Sequence, residues 1–203
     1  MKILGDIGNT ETKIFLVSPS YKILKKKTFL TKNLSQKRLN KFFNNFKLNY
    51  KNIKKILFCS VVPRSFNLIK NFLSKKTKVK CYEVKNLDLK SLINIKVNYK
   101  QVGSDRITNA ISLVNSKNNF IILDFGTATT FDVVTKNGIY NGGIIAPGIN
   151  LSIKSLIKSA DQIPKFKLKK HKKIIGKNTL EALRSGFYWG YIGLINNIIF
   201  KIE

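Results

Sequence analysis

Two short segments of the chain share an arrangement of an aspartate, a glycine and small polar residues. The first is Asp6-Ile-Gly-Asn-Thr10 and the second is Asp124-Phe-Gly-Thr-Ala128, and each follows an apolar run that predicts a β-strand. Glycine in a tight turn lets backbone N–H groups approach an anion closely, and neighbouring hydroxyl and amide groups add donors. An aspartate at the end of the strand can hold a hydrated Mg²⁺ that bridges phosphates. The chemistry that these residues favour is phosphate and cation binding.

An ordinary hairpin also explains either turn alone, because Asp and Gly are favoured in turns. The repetition of the pattern and the scarcity of acids argue for the functional interpretation. The chain has ten acidic residues against 38 basic ones. We predict that four of these acids lie in or beside glycine-containing turns: Asp6, Asp105, Asp124 and Asp132.

A third segment, Gly103-Ser-Asp-Arg106, predicts the start of a helix, with Ser104 as the N-cap and Asp105 in the first turn. The helix dipole and the neighbouring Arg106 favour the charged form of the aspartate. An ionised carboxylate is suited to accept a proton from a hydroxyl group or to orient it. The alternative is a capped helix start with a surface ion pair. Gly142–Gly148 is a glycine-rich strand and turn that a ligand or another backbone segment can approach.

The predicted elements run strands first and then helix and strand in alternation, and this order occurs twice. Strands are predicted at Ile3–Ile7, Lys13–Val17, Tyr21–Phe29, Ile53–Val62, Val79–Val84, Ile93–Val97, Phe120–Asp124, Phe131–Thr135 and up to Pro147. Helices are predicted around Leu34, Leu39, Phe42, Phe43 and Phe46, around Phe66–Phe72, from Ser104, over Asn150–Ser159 and from Asn178. We therefore expect an α/β protein with two domains, residues 1–115 and 116–203.

The composition argues against a membrane protein, a secreted protein and a cysteine-based metal or redox site. Hydrophobic residues make up 43% of the chain, without the 18-residue apolar run of a membrane span or the apolar segment of a signal peptide. Cys59 and Cys81 have neither metal-binding nor redox spacing. We expect a globular cytoplasmic protein with reduced thiols.

The formal charge of +28 invites an interpretation as a nucleic-acid-binding protein. Nearly all of the excess is lysine, scattered along the chain, and only four arginines supply bidentate contacts. The pattern argues against nucleic acid as the partner. Lys25–Lys27 and Lys169–Lys173 are the segments that a polyanion-binding alternative would use. The sole histidine, His171, lies in the second run, without a serine or cysteine partner for a catalytic triad.

Five segments in order resemble the type III pantothenate kinases. They are Asp6–Thr10, Gly103–Arg106, Asp124–Ala128, Gly142–Gly148 and Gly176–Thr179, and the resemblance extends over the whole chain. It implies the fold of the acetate and sugar kinase–actin superfamily: two ribonuclease-H-like domains with mixed sheets flanked by helices, around an ATP cleft. It also implies the reaction, phosphorylation of pantothenate by ATP to 4′-phosphopantothenate, towards coenzyme A.

The resemblance also implies roles for individual residues. ATP phosphates are bound by Asp6, Ile7, Gly8, Asn9, Thr10, Glu11, Thr12 and Lys13. Pantothenate is contacted by Gly103, Ser104, Asp105, Arg106 and Thr179. Asp105 accepts the proton of the primary hydroxyl, Asp6 assists Mg²⁺, Asp124 coordinates a monovalent cation, K⁺ or NH₄⁺, and Thr127 contacts ATP. A homodimer is implied, and Gly186, Gly190 and Gly193 of the last helix permit close contact. Asp132 fits the pattern without an assigned role.

The chain departs from the family pattern in two places. Family members usually have a tyrosine seven residues before the glycine of the Gly-x-Asp-Arg motif and a proline four before it, where this chain has Lys96 and Tyr99. Tyr99 is a candidate substitute in a different register. The family also usually continues beyond the position of Glu203 for about another strand and helices, so we expect a shortened second domain.

Three alternatives stay open at this point. The first is a non-catalytic relative that acts as an accessory protein, which a shortened second domain would fit. The second is a polyanion-binding protein that uses its lysines, for which steep salt dependence of binding is the signature. The third is a different small-molecule kinase of the same superfamily, because residue patterns do not identify the substrate.

Overall fold

A computed structural model of the chain describes residues 1–45, 48–115 and 117–203. The chain forms two compact units. The first consists of Met1–Phe120 and Val133–Gly142, and the second of Ile121–Asp132 and Gly143–Glu203. The division near residue 115 stays a prediction. Residues 133–142 return to the first unit after the second has begun.

The first unit contains a five-stranded sheet. Its strands are β1 (Lys2–Ile7), β2 (Glu11–Val17), β3 (Ile23–Leu30), β4 (Lys55–Ser60) and β5 (Cys81–Glu83). The order across the sheet is β3-β2-β1-β4-β5. The pairs β1–β2 and β2–β3 are antiparallel, whereas β1–β4 and β4–β5 are parallel. The central strand β1 therefore ends with the turn to β2 on one side and the end of β4 on the other.

Three helices belong to this unit: α1 (Gln36–Asn44), α2 (Pro63–Ser74) and α3 (Ser104–Leu113). The Ser35 side chain caps α1 by accepting from the N–H of Arg38, and Pro63 opens α2. The apolar faces of α1 and α2 are buried in one core with the sheet, and the rings of Phe43 and Phe72 stack at 5.5 Å. This packing fixes the sheet whose central strand carries Asp6.

A second sheet has four strands, β6 (Asn94–Ile95), β7 (Phe120–Phe125), β8 (Ala128–Thr135) and β9 (Ile139–Pro147), in the order β6-β9-β8-β7. The second unit adds α4 (Ile149–Ser159) and α5 (Thr179–Ile202). Phe131 of β8 and Ile153 of α4 are buried. Within the described part of the chain, no helix is both long and apolar enough to cross a membrane.

These elements confirm the predicted α/β class, with mixed sheets flanked by helices. Every predicted strand and helix appears, with ends shifted by a few residues. Phe46, which extends the predicted apolar face of α1, lies outside the described residues. The expectation that Asp132 lies in or beside a turn is wrong, because this residue is fully buried within β8.

Candidate active site

The turn between β1 and β2 is held by the residue that follows β3. Within the turn, the N–H of Gly8 donates to the Glu11 carbonyl at 2.9 Å. The Thr31 hydroxyl donates to the Gly8 carbonyl at 2.7 Å, and the Thr31 N–H donates to the Thr10 carbonyl at 2.9 Å. Asn9, Thr10 and Glu11 remain exposed. The predicted phosphate turn is therefore a braced loop with an accessible rim.

Two of the predicted nucleotide-binding residues lie beneath this rim. Thr12 is fully buried, and its hydroxyl oxygen lies 3.0 Å from that of Thr31. Because the Thr31 proton is donated to Gly8, Thr12 is the donor in this pair. The Ile7 side chain is also fully buried. Thr12 and Ile7 thus support the turn from within the fold and are not accessible to a ligand. Sequence reasoning missed Thr31, which follows a lysine-rich strand without any local signal.

Asp6 lies near the end of β1, between two cross-strand neighbours. The register places Lys13 of β2 on one side and Cys59 of β4 on the other. The Lys13 Nζ is 3.8 Å from Asp6 Oδ2, and the Cys59 Sγ is 3.5 Å from Asp6 Oδ1. The Asp6 and Lys13 side chains are 39% and 38% exposed, respectively, so both are accessible to a ligand.

Cys59 shows that Asp6 and Asp105 occupy the same part of the first unit. Burial, then the negative charge of Asp6 and, less strongly, that of Asp105 together raise the pKa of the Cys59 thiol to about 12. Both carboxylates therefore act on one buried thiol. Asp6 comes from β1 and Asp105 from the first turn of α3, so the structure brings together two aspartates that are 99 positions apart in the chain.

The Gly-Ser-Asp-Arg segment begins α3 one residue earlier than expected. Gly103, not Ser104, is the N-cap residue. Ser104 is buried, and its hydroxyl donates to the carboxylate of Glu83, a buried residue at the end of β5. The prediction of Ser104 as N-cap was wrong because this long-range bond takes its side chain. A Cβ on Gly103 would overlap the Asp105 carboxylate, which accepts from the Arg106 N–H at 2.8 Å.

The loop before this segment is tied to the short turn Val84–Asn86. The Lys85 Nζ donates to the carbonyls of Lys100 at 3.0 Å and Val102 at 2.8 Å. In return the Tyr99 hydroxyl donates to the Lys85 carbonyl at 2.6 Å, and burial, with the charge of Glu83, raises the pKa of Tyr99. Tyr99 thus anchors the loop. Neither Glu83 nor Lys85 was recognised from the sequence.

In the second unit the two glycine-rich segments pack backbone against backbone. The Gly126 N–H donates to the Ala128 carbonyl at 2.9 Å, and the Gly148 N–H donates to the Thr127 carbonyl at 3.0 Å. A Cβ on Gly148 would overlap the Gly126 carbonyl oxygen. Gly148 therefore permits the approach of another backbone segment, one of the two possibilities that its sequence context raised. Asp124 and the Thr127 side chain are exposed beside this contact.

Tyr191 of α5 holds the same region from the helix side. Its hydroxyl is hydrogen-bonded to the Thr129 hydroxyl and donates to the Pro147 carbonyl at 3.2 Å. The start of β8 and the end of β9 are therefore both attached to α5. Within β8, the Thr130 hydroxyl donates to the buried Asp132 carboxylate at 3.3 Å. This bond gives Asp132 a structural partner inside the unit.

Thr179 is the first residue of α5 and is exposed beside a cavity. Asn178 caps the helix by accepting from the Glu181 N–H at 2.9 Å, and Glu181 accepts from the Lys177 N–H at 2.9 Å. The cavity has a volume of about 400 Å³ and is lined by Thr179, Ala182, Leu183, Gly186 and Phe187. The structure thus places the predicted substrate residue Thr179 at an apolar depression of the second unit.

The described residues contain no group of three or more His, Cys, Asp or Glu side chains that could hold a metal ion. Asp6 and Asp124 instead offer single accessible carboxylates. Mg²⁺ in kinase sites is held by one or two carboxylates together with substrate phosphates. The donor set of the first unit fits an ion that is bound with a nucleotide.

Comparison with known proteins identifies the family. Residues 2–201 match the family model described as type III pantothenate kinase. The chain belongs to this family. Its curated relatives include a type III pantothenate kinase of Pelagibacter ubique (strain HTCC1062), which is 58% identical over 203 residues, covering 100% of this chain and 82% of the relative. Another, from Sulfurihydrogenibium sp. (strain YO3AOP1), is 42% identical over 211 residues, with the same two coverages.

Membership of the type III pantothenate kinases confirms the predicted class of enzyme. A solved structure described as a conserved Baf family transcriptional activator from Campylobacter jejuni is similar to this chain with a TM-score of 0.57 and 19% identity. The similarity covers 97% of this chain and 78% of the other. At this identity the comparison shows a shared fold and nothing about function. The curated relatives therefore carry the assignment to the pantothenate kinases.

Proposed function

We propose that this chain phosphorylates pantothenate with Asp105 as the proton acceptor and the Asp6 turn as the phosphate site. Family membership supports the reaction, an ATP-dependent phosphorylation in coenzyme A biosynthesis. One observation supports placing the two residues near each other: the Val61 N–H donates to the carbonyl of Ile7, next to Asp6, at 3.0 Å, and a Cβ on Gly103 would lie 3.4 Å from the Val61 side chain. The segment that carries Asp105 and the end of β1 therefore meet at Val61.

In the proposed reaction the primary hydroxyl oxygen of pantothenate attacks the γ-phosphorus of ATP. A new O–P bond forms, the bond to the β-phosphate oxygen breaks, ADP leaves, and the hydroxyl proton passes to Asp105. Phosphoryl transfer asks the protein mainly for alignment and charge neutralisation. The Asp105 carboxylate is partly exposed at the start of α3, where Gly103 leaves room for it. Because the carboxylate is already accessible at this position, it can accept a proton without a change in the position of α3.

We assign the ATP phosphates to the turn between β1 and β2. The accessible backbone and side chains of Gly8, Asn9, Thr10 and Glu11 supply donors, and the Lys13 ammonium supplies positive charge. Thr127 is proposed as a further contact of ATP. Bound Mg²⁺ would neutralise phosphate charge, and Asp6 would hold it. The bracing of this turn by Thr31 supports the proposal, because a rigid turn need not be ordered when the anion binds.

The remaining ligand roles are also proposals. Pantothenate would contact Gly103–Arg106 and Thr179, the latter beside the apolar cavity of α5. Asp124 would coordinate a monovalent cation, K⁺ or NH₄⁺; its exposed carboxylate and the Thr127 hydroxyl are oxygen donors of the kind that hard cations prefer.

We further propose a cytoplasmic homodimer. Helix α5 supports the assembly, because most of its 24 residues are apolar and only Ser185 among them is buried. Trp189 and Phe200 are 37% and 71% exposed, and Cβ atoms on Gly186, Gly190 and Gly193 would meet open space. Exposed apolar surface of this kind is typical of an interaction site. The proposal includes neither a nucleic acid nor a membrane.

The test is ADP release from Mg-ATP with and without pantothenate in potassium buffer. We expect pantothenate-dependent turnover that Asp105→Asn reduces by at least about a hundredfold, the usual effect of removing a general base. Asp161→Asn is the matched control, because Asp161 is an exposed acid outside the proposed site. Absence of turnover at millimolar ATP would contradict the proposal and favour an accessory role. Equal activity of Asp105→Asn and Asp161→Asn would exclude Asp105 as the base.

A further inference from the structure

We propose that Cys59 is a positioning residue of this kinase, whose thiol holds the Asp6 carboxylate through a hydrogen bond between β4 and β1. The inference rests on the proposed role of Asp6 and adds a residue to it. It gives a function to a buried polar group that the phosphoryl transfer itself does not use.

The geometry places a separate partner at each oxygen of Asp6. Cys59 Sγ lies 3.5 Å from Oδ1, and Lys13 Nζ lies 3.8 Å from Oδ2. The parallel pairing of β1 with β4 puts Asp6 and Cys59 directly opposite each other, and Lys13 is the opposite residue on β2. Two partners on opposite sides fix the rotation of the carboxylate about its Cβ–Cγ bond.

The two partners differ in what they would do when a nucleotide binds. The Lys13 ammonium is 38% exposed and long enough to turn towards a phosphate. Cys59 is 9% exposed, and the Gly5 carbonyl of β1, 3.7 Å from its Sγ, is a second and longer acceptor for the same thiol proton. Its side chain is therefore confined between the strands. Cys59 would keep Oδ1 in place after Lys13 has been drawn to the nucleotide.

The position beside the Asp6 carboxylate also favours a neutral hydrogen-bond donor. Asp6 and Asp105 bring two negative charges to it, so another carboxylate would be repelled. A thiol is small, neutral and able to donate one weak hydrogen bond.

The alternative is that Cys59 only fills space in the core, as buried cysteines often do. The two explanations differ in what the removal of the sulfur changes. A space-filling role affects thermal stability alone. A positioning role changes the dependence of the rate on Mg²⁺, because Asp6 would hold the ion less well.

The experiment compares Cys59→Ala and Cys59→Ser with Cys81→Ala in the full chain. Cys81 is a matched control, since it is a buried thiol on β5 of the same sheet. The measurements are the Mg²⁺ concentration for half-maximal rate at fixed ATP, the pantothenate KM and the Tm. We expect Cys59→Ala to raise the half-maximal Mg²⁺ about threefold to tenfold, the effect of one modest hydrogen bond. The pantothenate KM should change less than about twofold, which lies within RT ln 2 of about 0.4 kcal/mol.

Cys59→Ser should restore most of the Mg²⁺ dependence, because its hydroxyl can donate to the same oxygen. Cys81→Ala should lower the Tm without altering that dependence. Asp6→Asn separates the two proposals. If Asp6→Asn raises the required Mg²⁺ and Cys59→Ala does not, Cys59 is only a core residue and the inference is overturned. If neither variant changes it, the assignment of Asp6 fails as well.

Discussion

The Lys13 ammonium lies 3.8 Å from the Asp6 carboxylate, on the neighbouring strand and in direct register. Before a nucleotide binds, each charge therefore neutralises the other. In the proposed site, phosphates would compete for the lysine and Mg²⁺ for the aspartate, so binding of Mg-ATP would exchange one ion pair for two stronger contacts. A surface pair of this exposure contributes little to stability. The ion pair instead keeps the Lys13 ammonium and the Asp6 carboxylate beside the turn before the nucleotide binds.

Replacement of Lys13 should therefore weaken nucleotide binding and leave the fold intact. We expect Lys13→Met to raise the KM for ATP about tenfold or more, the effect of losing a charged hydrogen bond. The pantothenate KM and the Tm should change little. Lys27→Met is the control, because Lys27 is an exposed lysine of β3 that pairs with Ile14 and therefore lies on the opposite face of the sheet from Lys13. An unchanged KM for ATP in Lys13→Met would exclude the lysine from the phosphate site.

Thr31→Val should loosen the phosphate turn without changing any residue in it. The variant leaves the Gly8 carbonyl and the Thr12 hydroxyl without their buried partner. We expect a loss of about 1–3 kcal/mol in the free energy of unfolding and a higher KM for ATP. Thr31→Ser keeps the hydroxyl and should retain both properties. Denaturant unfolding and initial-rate kinetics give the comparison, and equal behaviour of the valine and serine variants would contradict it.

Lys85→Met tests the anchoring of the substrate segment. Its ammonium holds two carbonyls of the loop that leads into Gly103. Loss of these bonds should raise the pantothenate KM about fivefold or more. This corresponds to about 1 kcal/mol, the net loss expected when hydrogen bonds from a charged donor are partly replaced by bonds to water. The KM for ATP should stay near its original value. Lys90→Met provides a control at an exposed position nearby. A rise in both constants would point instead to general unfolding of the first unit.

Gly148→Ala should destabilise the second unit, because the new Cβ would overlap the Gly126 carbonyl oxygen. Overpacking of this kind costs about 1–3 kcal/mol. Gly186→Ala is the opposite case: its Cβ would meet open space on α5, and alanine favours a helix by about 0.5–1 kcal/mol over glycine. Thermal unfolding of both variants checks the pair. A stable Gly148→Ala protein would refute the close backbone contact at this turn.

Stability at acid pH should depend on Glu181. The hydrogen bond from the Lys177 N–H lowers the pKa of Glu181 below its ordinary value of 4.5, and the Asn178 side chain and the charge of His171 act in the same direction. A carboxylate with a lowered pKa in the folded state stabilises that state above pH 4.5 and loses this contribution as the pH falls.

Glu181→Gln should therefore unfold at a lower denaturant concentration than the original protein at pH 7. The difference should shrink as the pH falls below 4.5, where the glutamate takes up a proton. Asp161→Asn, at an exposed acid, serves as the control. A difference that stays constant over this range would show that charge on Glu181 does not contribute.

The elements that local pattern determines could be predicted. Alternating and helical spacing of apolar residues gave the strands and helices of both units, and the repeated Asp-x-Gly segments fall at the two turns that they predicted. These features depend on residues within a few positions of each other. The ordered set of motifs also identified the family, because short segments in a fixed order are far more specific than any one of them.

The tertiary structure alone decided which side chains support those segments. Thr31 meets Gly8, Cys59 meets Asp6, Glu83 takes the hydroxyl of Ser104, and Tyr191 joins β8 to β9. Each contact joins residues more than 20 positions apart, so no local spacing marks it. The same cause made the assignment of Ser104 as N-cap wrong. A serine before a helix prefers to cap it, but a buried carboxyl group across the fold competes for the same hydroxyl and prevails, since a buried polar group without a hydrogen bond costs more than an unfilled cap.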